Sequence, residues 1–291
     1  MTDSIYSRQS FLGENSEQTF SDCRAAIIGL GGGGSHIAQQ LAHLGVGCFY
    51  LIDPDRLSLT NLNRTVGATL KSVLSERYKV LVLSKLIRRI NPKARVFTYP
   101  DKWEKVGHIL RTCDVIFGCV DTYSVRNELE GLSRRYLIPY IDIGMDVHTI
   151  DEKFQISGQM ILSMPGEPCM KCLGFITDNR LKKEAADYGA AGGKPQVIWP
   201  NGILASLAIG TFVKLFSPWF ETDVKNLLYL EYDGNAQITK PSNHLLYYEQ
   251  LKCLHYPAGR NLGDPFWQPV KRANNTITVF LNFLKRMFRA K

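Results

Sequence analysis

The stretch Arg24-Ala-Ala-Ile-Ile-Gly-Leu-Gly-Gly-Gly-Gly34 decides the fold. Arg24 to Ile28 form a short apolar run, and Gly29-Leu30-Gly31-Gly32-Gly33-Gly34 then satisfies Gly-x-Gly-x-x-Gly. Behind it, Ile37, Ala38, Leu41 and Leu44 fall at helical spacing, so the stretch reads as strand, glycine-rich turn and helix. Glycine lets the backbone turn tightly and approach phosphates, while the free N–H groups of the helix start face negative charge. A second apolar run, Cys48-Phe-Tyr-Leu-Ile52, closes on Asp53-Pro54-Asp55 and completes a β-α-β unit with parallel strands. Asp53 lies 19 residues beyond Gly34, where an acidic side chain accepts hydrogen bonds from ribose hydroxyls. Taken alone, this pair fits a nicotinamide-dependent oxidoreductase, and a tight turn without ligand is the bland alternative.

Working outward, the alternation continues. A helix is expected over residues 79–90, stopped by Asn91-Pro92, then strands over 95–99 and 114–119, a helix over 124–136 and a strand over 140–143. Such alternation implies an α/β sheet covered on both faces. After Gly144 the grammar changes. Residues 154–162 read as an antiparallel strand and 227–238 as a pair turning at Asp233-Gly234-Asn235, with a long helix over 201–215 between them. The expected fold class is therefore α/β, a Rossmann-like nucleotide-binding half continuing into a mixed, partly antiparallel sheet. The expected divisions are an N-terminal arm (1–22), the Rossmann-like part (23–150), the mixed-sheet part (151–260) and a basic tail (261–291). Residues 177–196, rich in Gly, Ala, Lys and Asp, read as a long functional loop.

Composition limits the function classes. With 291 residues, 45% hydrophobic and 21% charged, the chain is neither globally disordered nor a membrane protein. Its longest apolar stretch, 197–216, is broken by Pro200, Asn201, Gly202 and Lys214. Met1-Thr2-Asp3-Ser4 carries no secretory pattern, and seven cysteines spread over the chain argue for a reducing compartment, so a cytoplasmic protein is expected. Of the net charge of +8, six units come from Lys271, Arg272, Lys285, Arg286, Arg289 and Lys291, so the basic balance belongs to the tail and no specific nucleic-acid partner is expected. In that tail Ile277, Phe280, Leu281, Leu284 and Phe288 share one helical face. Packing on the protein's own body is the first reading of it, and an acidic partner or membrane surface the second.

The residues beyond Asp53 are not typical of dehydrogenases. Asp53-Pro54-Asp55 leads into Asn61-Leu62-Asn63-Arg64, then Lys79 on the next helix, then Asp121-Thr122 with Arg126 after the 114–119 strand, while Tyr6-Ser7-Arg8-Gln9 lies near the N-terminus. Over roughly residues 5 to 240 this set resembles the ThiF/MoeB/HesA family, adenylating enzymes that activate ubiquitin-like and sulfur-carrier proteins. The resemblance implies ATP and Mg²⁺, with Gly29, Gly31, Gly32, Gly34 and Asp55 in the nucleotide site and Asp53 on the ribose. By the same analogy Asn61, Arg64 and Lys79 hold the phosphates, Asp121 the metal, and Arg8 is donated across the interface of a homodimer. The chemistry agrees: attack by a carboxylate on the α-phosphate needs cations on the developing charge and on the departing pyrophosphate, plus a divalent metal.

Pro168-Cys169-Met170-Lys171-Cys172 has the spacing that lets two thiolates reach one tetrahedral Zn²⁺. Many relatives carry a second Cys-x-x-Cys; this chain has only Cys253 and His255 as late candidates, and an unmetallated pair or a redox pair are the alternatives. Cys48, Cys113 and Cys119 read as buried strand thiols. Relatives that form a thioester use a cysteine in the crossover loop, here 177–196, which has none. Either the enzyme stops at the adenylate, or a cysteine elsewhere, Cys172 being nearest, is the nucleophile; its identity stays open. The leading expectation is a homodimeric adenylyltransferase acting on a small ubiquitin-like protein, in the style of bacterial ubiquitin-like conjugation operons, with a conjugating enzyme as a further partner. A nicotinamide-dependent oxidoreductase and a non-catalytic nucleotide-binding module are the competing classes.

Overall fold

The structure, a computed structural model, describes residues 5–186, 195–221, 223–247 and 253–256. The amphipathic pattern expected in the tail lies outside them. The chain begins with a 3-10 helix (Ser7–Leu12) and proceeds through α1 (Ser16–Asp22), β1 (Arg24–Ile28), α2 (Gly32–Leu44), β2 (Cys48–Ile52), α3 (Leu70–Leu74), α4 (Lys79–Ile90) and β3 (Arg95–Tyr99). Next come α5 (Trp103–Leu110), β4 (Val115–Gly118), α6 (Tyr123–Arg135), β5 (Tyr140–Ile150), β6 (Lys153–Ser163), α7 (Asp178–Ala186), α8 (Ile198–Phe216), β7 (Tyr229–Asp233) and β8 (Ile238–Pro241).

One eight-stranded sheet carries the molecule, in the order β3-β2-β1-β4-β5-β6-β7-β8. Pairs from β3 to β5 are parallel and those from β5 to β8 antiparallel, as the sequence implied. The expected boundary at 150/151 falls on the turn of the β5–β6 hairpin. Asp151 and Glu152 there have φ of 48° and 61°, the left-handed pair that a two-residue hairpin turn requires. β5 runs seven residues beyond its expected end, and β6 one residue beyond each of its own, because the hairpin projects past the core, with Ile150 and Phe154 exposed at its tip.

Alternation along β1 builds two cores. Ala25 and Ile27 face a layer containing Ile37 and Leu41 of α2, Leu83 of α4 and Phe212 of α8, whereas Ala26 and Ile28 face one containing Leu110, Leu129 of α6 and Phe175. Burial on both faces explains why β1 and β4 read as unbroken apolar runs. By length and composition α8 could cross a membrane, but it packs in the first core against α2, β5 and β6. It starts at Ile198, three residues earlier than expected, because Pro200 in the first turn has no amide that the helix needs.

Part of the expected 177–196 loop is helical: α7 occupies Asp178–Ala186 and buries no residue, so it leaves no apolar period to read. Cys48 opens β2, but Cys113 and Cys119 flank β4 instead of lying in it.

Candidate active site

Because the chain leaves β3 at one edge and returns as β4 on the other side of β1, a topological switch point opens between the carboxyl ends of β1 and β4, where open α/β sheets hold ligands. A cleft of about 570 Å³ lies there, lined by the glycine turn, Asp53, Lys79 and the segment after β4. That volume is ample for a nucleotide.

The glycines divide their work. Gly29, at φ 83°, would place a Cβ 2.5 Å from the Cys119 carbonyl oxygen, so only glycine lets β1 approach β4 so closely at the turn. Gly34 faces the Gly29 carbonyl and does not line the cleft, which makes it a packing residue, whereas a Cβ on Gly31 would meet nothing within 4 Å. Gly32 and Gly33 instead face Asn201 of α8, whose amide donates to the Val197 carbonyl at 2.8 Å.

Asp53 is both a wall of the cleft and a fastening for the turn. Its Oδ2 accepts the Leu30 N–H at 2.6 Å and its Oδ1 the Asp55 N–H at 2.8 Å, leaving further lone pairs for a hydroxyl donor. Burial pushes this carboxyl up; the Lys79 ammonium and the two backbone donors pull the other way. Lys79, the first residue of α4, holds its Nζ 2.7 Å from Asp55 and 3.7 Å from Asp53. Asn61 is buried and accepts the Ser58 N–H through its side chain at 3.0 Å, which sets the turn that leads to Arg64. Arg64 donates to the Thr60 carbonyl at 2.6 Å and to Asn63 Oδ1 at 3.0 Å, and burial pulls its pKa down. Its Nε is a buried donor without a partner among the described residues, as a group awaiting an anion would be. Asp121, exposed at the end of β4, lines the opposite wall.

The cleft thus gathers Gly29, Gly31, Gly32, Asp53, Asp55, Asn61, Arg64, Lys79 and Asp121. Arg8 is exposed on the first 3-10 turn and does not line it. Sequence reasoning missed Asn201 and Gln159, and gave Arg126 no role although its position five residues after Asp121 was visible. Arg126 Nη2 donates to the Val120 carbonyl at 2.6 Å, and its Nε lies 3.3 Å from Asp142, which also accepts the Tyr140 hydroxyl at 2.8 Å. This buried network fixes the strand end that presents Asp121.

None of the four expected zinc ligands lines the cleft, yet the structure brings them together. The ligand atoms of Cys169, Cys172, Cys253 and His255 lie within 4.8 Å of one another. Cys169 and Cys172 Sγ are 3.6 Å apart, Cys172 and Cys253 Sγ 3.7 Å, and His255 Nδ1 is 3.4 Å from both Cys169 and Cys172 Sγ. These separations match the edges of a tetrahedron built on metal–sulfur bonds of about 2.3 Å. Behind the turn, buried Arg134 donates to the Glu167 and Pro168 carbonyls at 2.8 and 2.9 Å, and Glu130 accepts the Met170 N–H at 2.9 Å. All seven cysteines are free thiols, and burial pushes Cys23, Cys48, Cys113 and Cys119 up.

Comparison with known proteins agrees with this geometry. Residues 6–246 match the ThiF family. The tRNA threonylcarbamoyladenosine dehydratase of Escherichia coli K12 is 33% identical over 45% of this chain and 50% of its own length. The molybdopterin-synthase adenylyltransferase of Haemophilus influenzae is 31% identical over 47% of this chain and 57% of its own. The match therefore spans about half the length of these relatives. The crystal structure of E. coli MccB with ATP superposes at a TM-score of 0.68 with 19% identity, covering 84% of this chain and 72% of MccB, and so supports the fold. None of these relatives is a nicotinamide enzyme, and the oxidoreductase alternative has no support. With the match running over most of its length, the chain belongs to the ThiF family.

Proposed function

We propose that this protein uses ATP to adenylate the C-terminal carboxylate of a small sulfur-carrier or ubiquitin-like protein. A carboxylate oxygen would attack the α-phosphorus, the bond to the β-phosphate oxygen would break, and pyrophosphate would leave. The observation that carries this reading is the composition of the cleft: Lys79 and Arg64, two of its four cationic side chains, with the open Gly31 turn on one wall, and the Asp121 carboxylate on the other. Phosphate at the turn would meet backbone N–H groups at the start of α2. Lys79 and Arg64 would stabilise the charge on the reacting and departing phosphates, and Asp53 would accept from the ribose. Asp121 would hold magnesium, which supplies charge neutralisation when bound.

The same reading places Arg8 in a partner's cleft within a homodimer, zinc on Cys169, Cys172, Cys253 and His255 as a structural ion, and the protein in the cytoplasm. A conjugating enzyme would then take the product onward. The reaction in this chain would end at the adenylate, since residues 177–196 contain no cysteine and Cys172 would be a zinc ligand. A non-catalytic nucleotide-binding module could hold nucleotide with the same Lys79, Arg64 and Asp121 set but would support no exchange. The test is exchange of labelled pyrophosphate into ATP with a panel of sulfur-carrier and ubiquitin-like proteins having intact Gly-Gly ends. Exchange with at least one member, absent when its terminal glycine is deleted, is the expected result; no exchange with any would reject the reading.

A further inference from the structure

Helix α6 begins two residues after Asp121, yet its own N-cap residue, Thr122, makes no side-chain capping bond. The amides that a helix start leaves unpaired are satisfied from some 60 residues further along the chain: Glu184 Oε1 accepts the Tyr123 N–H at 2.7 Å and Oε2 the Ser124 N–H at 2.8 Å. A carboxylate bridging two amides at the positive end of a helix is a strong, charge-assisted arrangement. Glu184 lies on α7, within the segment that crosses from the Cys-x-x-Cys turn to α8.

A second attachment involves the same residues. Arg180, one turn earlier on α7, donates to the Phe175 carbonyl at 2.5 Å, and its guanidinium lies 5.4 Å from the Tyr123 ring centroid and 5.7 Å from that of Phe175. No residue of α7 is fully buried, and only Leu181 packs against the second core, so these polar attachments carry much of its seating on the body. Their shared anchor is Tyr123, which lines the cleft together with Asp121 and Thr122.

We propose that Glu184 is a positioning residue for the adenylation reaction: by capping α6 in place of Thr122 it fixes the turn from which Asp121 presents its carboxylate, so the crossover segment sets the metal-binding power of the cleft. The inference rests on the adenylation reading, in which Asp121 holds magnesium. It predicts a dependence on magnesium that a merely structural clamp would not produce.

The experiment uses the full chain and ATP itself, followed by calorimetric titration at a series of Mg²⁺ concentrations and in EDTA, for wild type, E184A and E184Q. The Mg²⁺ concentration for half-maximal ATP binding is expected to rise about tenfold in E184A, the size of effect that loss of a good cap gives. In E184Q, which keeps one acceptor, the rise is smaller. Affinity in EDTA stays at the wild-type value, the melting temperature falls by no more than the few degrees that a lost cap gives, and tryptic cleavage at Arg180, Lys182 and Lys183 becomes faster. Faster cleavage with an unchanged Mg²⁺ midpoint would overturn the proposal and leave Glu184 a fastening of α7 only. Unchanged cleavage and midpoint would overturn it as well. If wild-type protein binds no ATP at any Mg²⁺ concentration, the adenylation reading fails and takes this inference with it; if wild type binds and the variants match it, this inference alone fails.

Discussion

Lys79 Nζ stands 3.7 Å from Asp53 Oδ1 at the floor of the cleft, with only 10% and 5% of the two side chains exposed. The second carboxylate on this ammonium, Asp55, is closer at 2.7 Å but 64% exposed. On the adenylation reading, a phosphate entering beside the glycine turn would displace Asp55 into solvent and take its place on Lys79, while Asp53 stays fixed by its two backbone donors.

The two carboxylates should respond differently when the cation changes. Lys79→Met keeps the aliphatic packing but leaves Asp53 buried without its cation, and is expected to lose about 2 kcal/mol of unfolding free energy as well as ATP binding. Asp55→Asn touches an exposed pair and should change stability by less than about 1 kcal/mol. Urea denaturation of both variants decides the matter, and equal losses would contradict the assignment of Asp53 as the buried partner.

The glycines give a second contrast. Gly34→Ala would drive a methyl group into the Gly29 carbonyl, a backbone atom that cannot swing away, and should destabilise the fold by about 2 kcal/mol or more. Gly31→Ala meets nothing within 4 Å and should melt with the wild type, yet lose ATP binding because its methyl group stands where phosphate must approach. A Gly31→Ala protein that binds ATP normally would remove this turn from the nucleotide site.

Burial and chain separation decide how much of this architecture was legible in the sequence. The β-α-β unit was readable because β1 and β2 are apolar over their whole length and glycines mark the turn. The Cys/His group was readable in its members, since Cys253 is the one thiol after Cys172 and His255 lies two residues beyond it. Helix α7 was not, because an exposed helix has no apolar stripe. Asn201 and Glu184 were illegible as cleft and cap residues for another reason: their partners, Gly32 and Tyr123, lie far along the chain, and no local pattern encodes such pairing.

The Cys169 cluster predicts a metal-dependent stability. Purified protein should contain about one zinc per chain, and Cys169→Ser or prolonged chelation should lower the melting temperature by about 5 °C or more. Since Arg134 and Glu130 hold the turn independently of any ion, the body should still unfold cooperatively after metal loss. Metal-free protein of undiminished stability would sink the assignment.

Asp142 gives a pH signature. Burial pushes its carboxyl up from the ordinary 3.8 to about 6, with Arg126 opposing the rise. A carboxyl raised in the folded state binds its proton more tightly there than when unfolded, so its contribution is fully present below about pH 4 and is lost as pH climbs through about 6. Relative to Asp142→Asn, wild-type stability should therefore fall by about 2 kcal/mol between pH 4 and pH 6 and run parallel only above about pH 7. A constant difference between the two proteins across this window would show that Asp142 is ionised throughout, held by Arg126.

Geometry decides how Arg8 must act. The 3-10 turn that carries it is tied to the C-terminal end of α2: Gln9 Nε2 donates to the Leu44 carbonyl at 3.0 Å, and the Tyr6 ring lies against Gly45. The cleft sits at the other end of the same helix, at Gly31 to Gly33. A helix the length of α2 spans about 20 Å, well beyond the reach of an arginine side chain, so Arg8 cannot serve the cleft of its own chain in this arrangement. If it stabilises the reaction at all, it does so in a second subunit. Arg8→Ala and Asp121→Ala should each abolish pyrophosphate exchange with whichever acceptor supports it. Co-refolded in equal amounts they should recover about a quarter of wild-type exchange, because half of the dimers are mixed and each of those holds one intact site. Recovery fails if both residues act within one chain, and an Arg8→Ala protein of full activity would show that the cleft works without it.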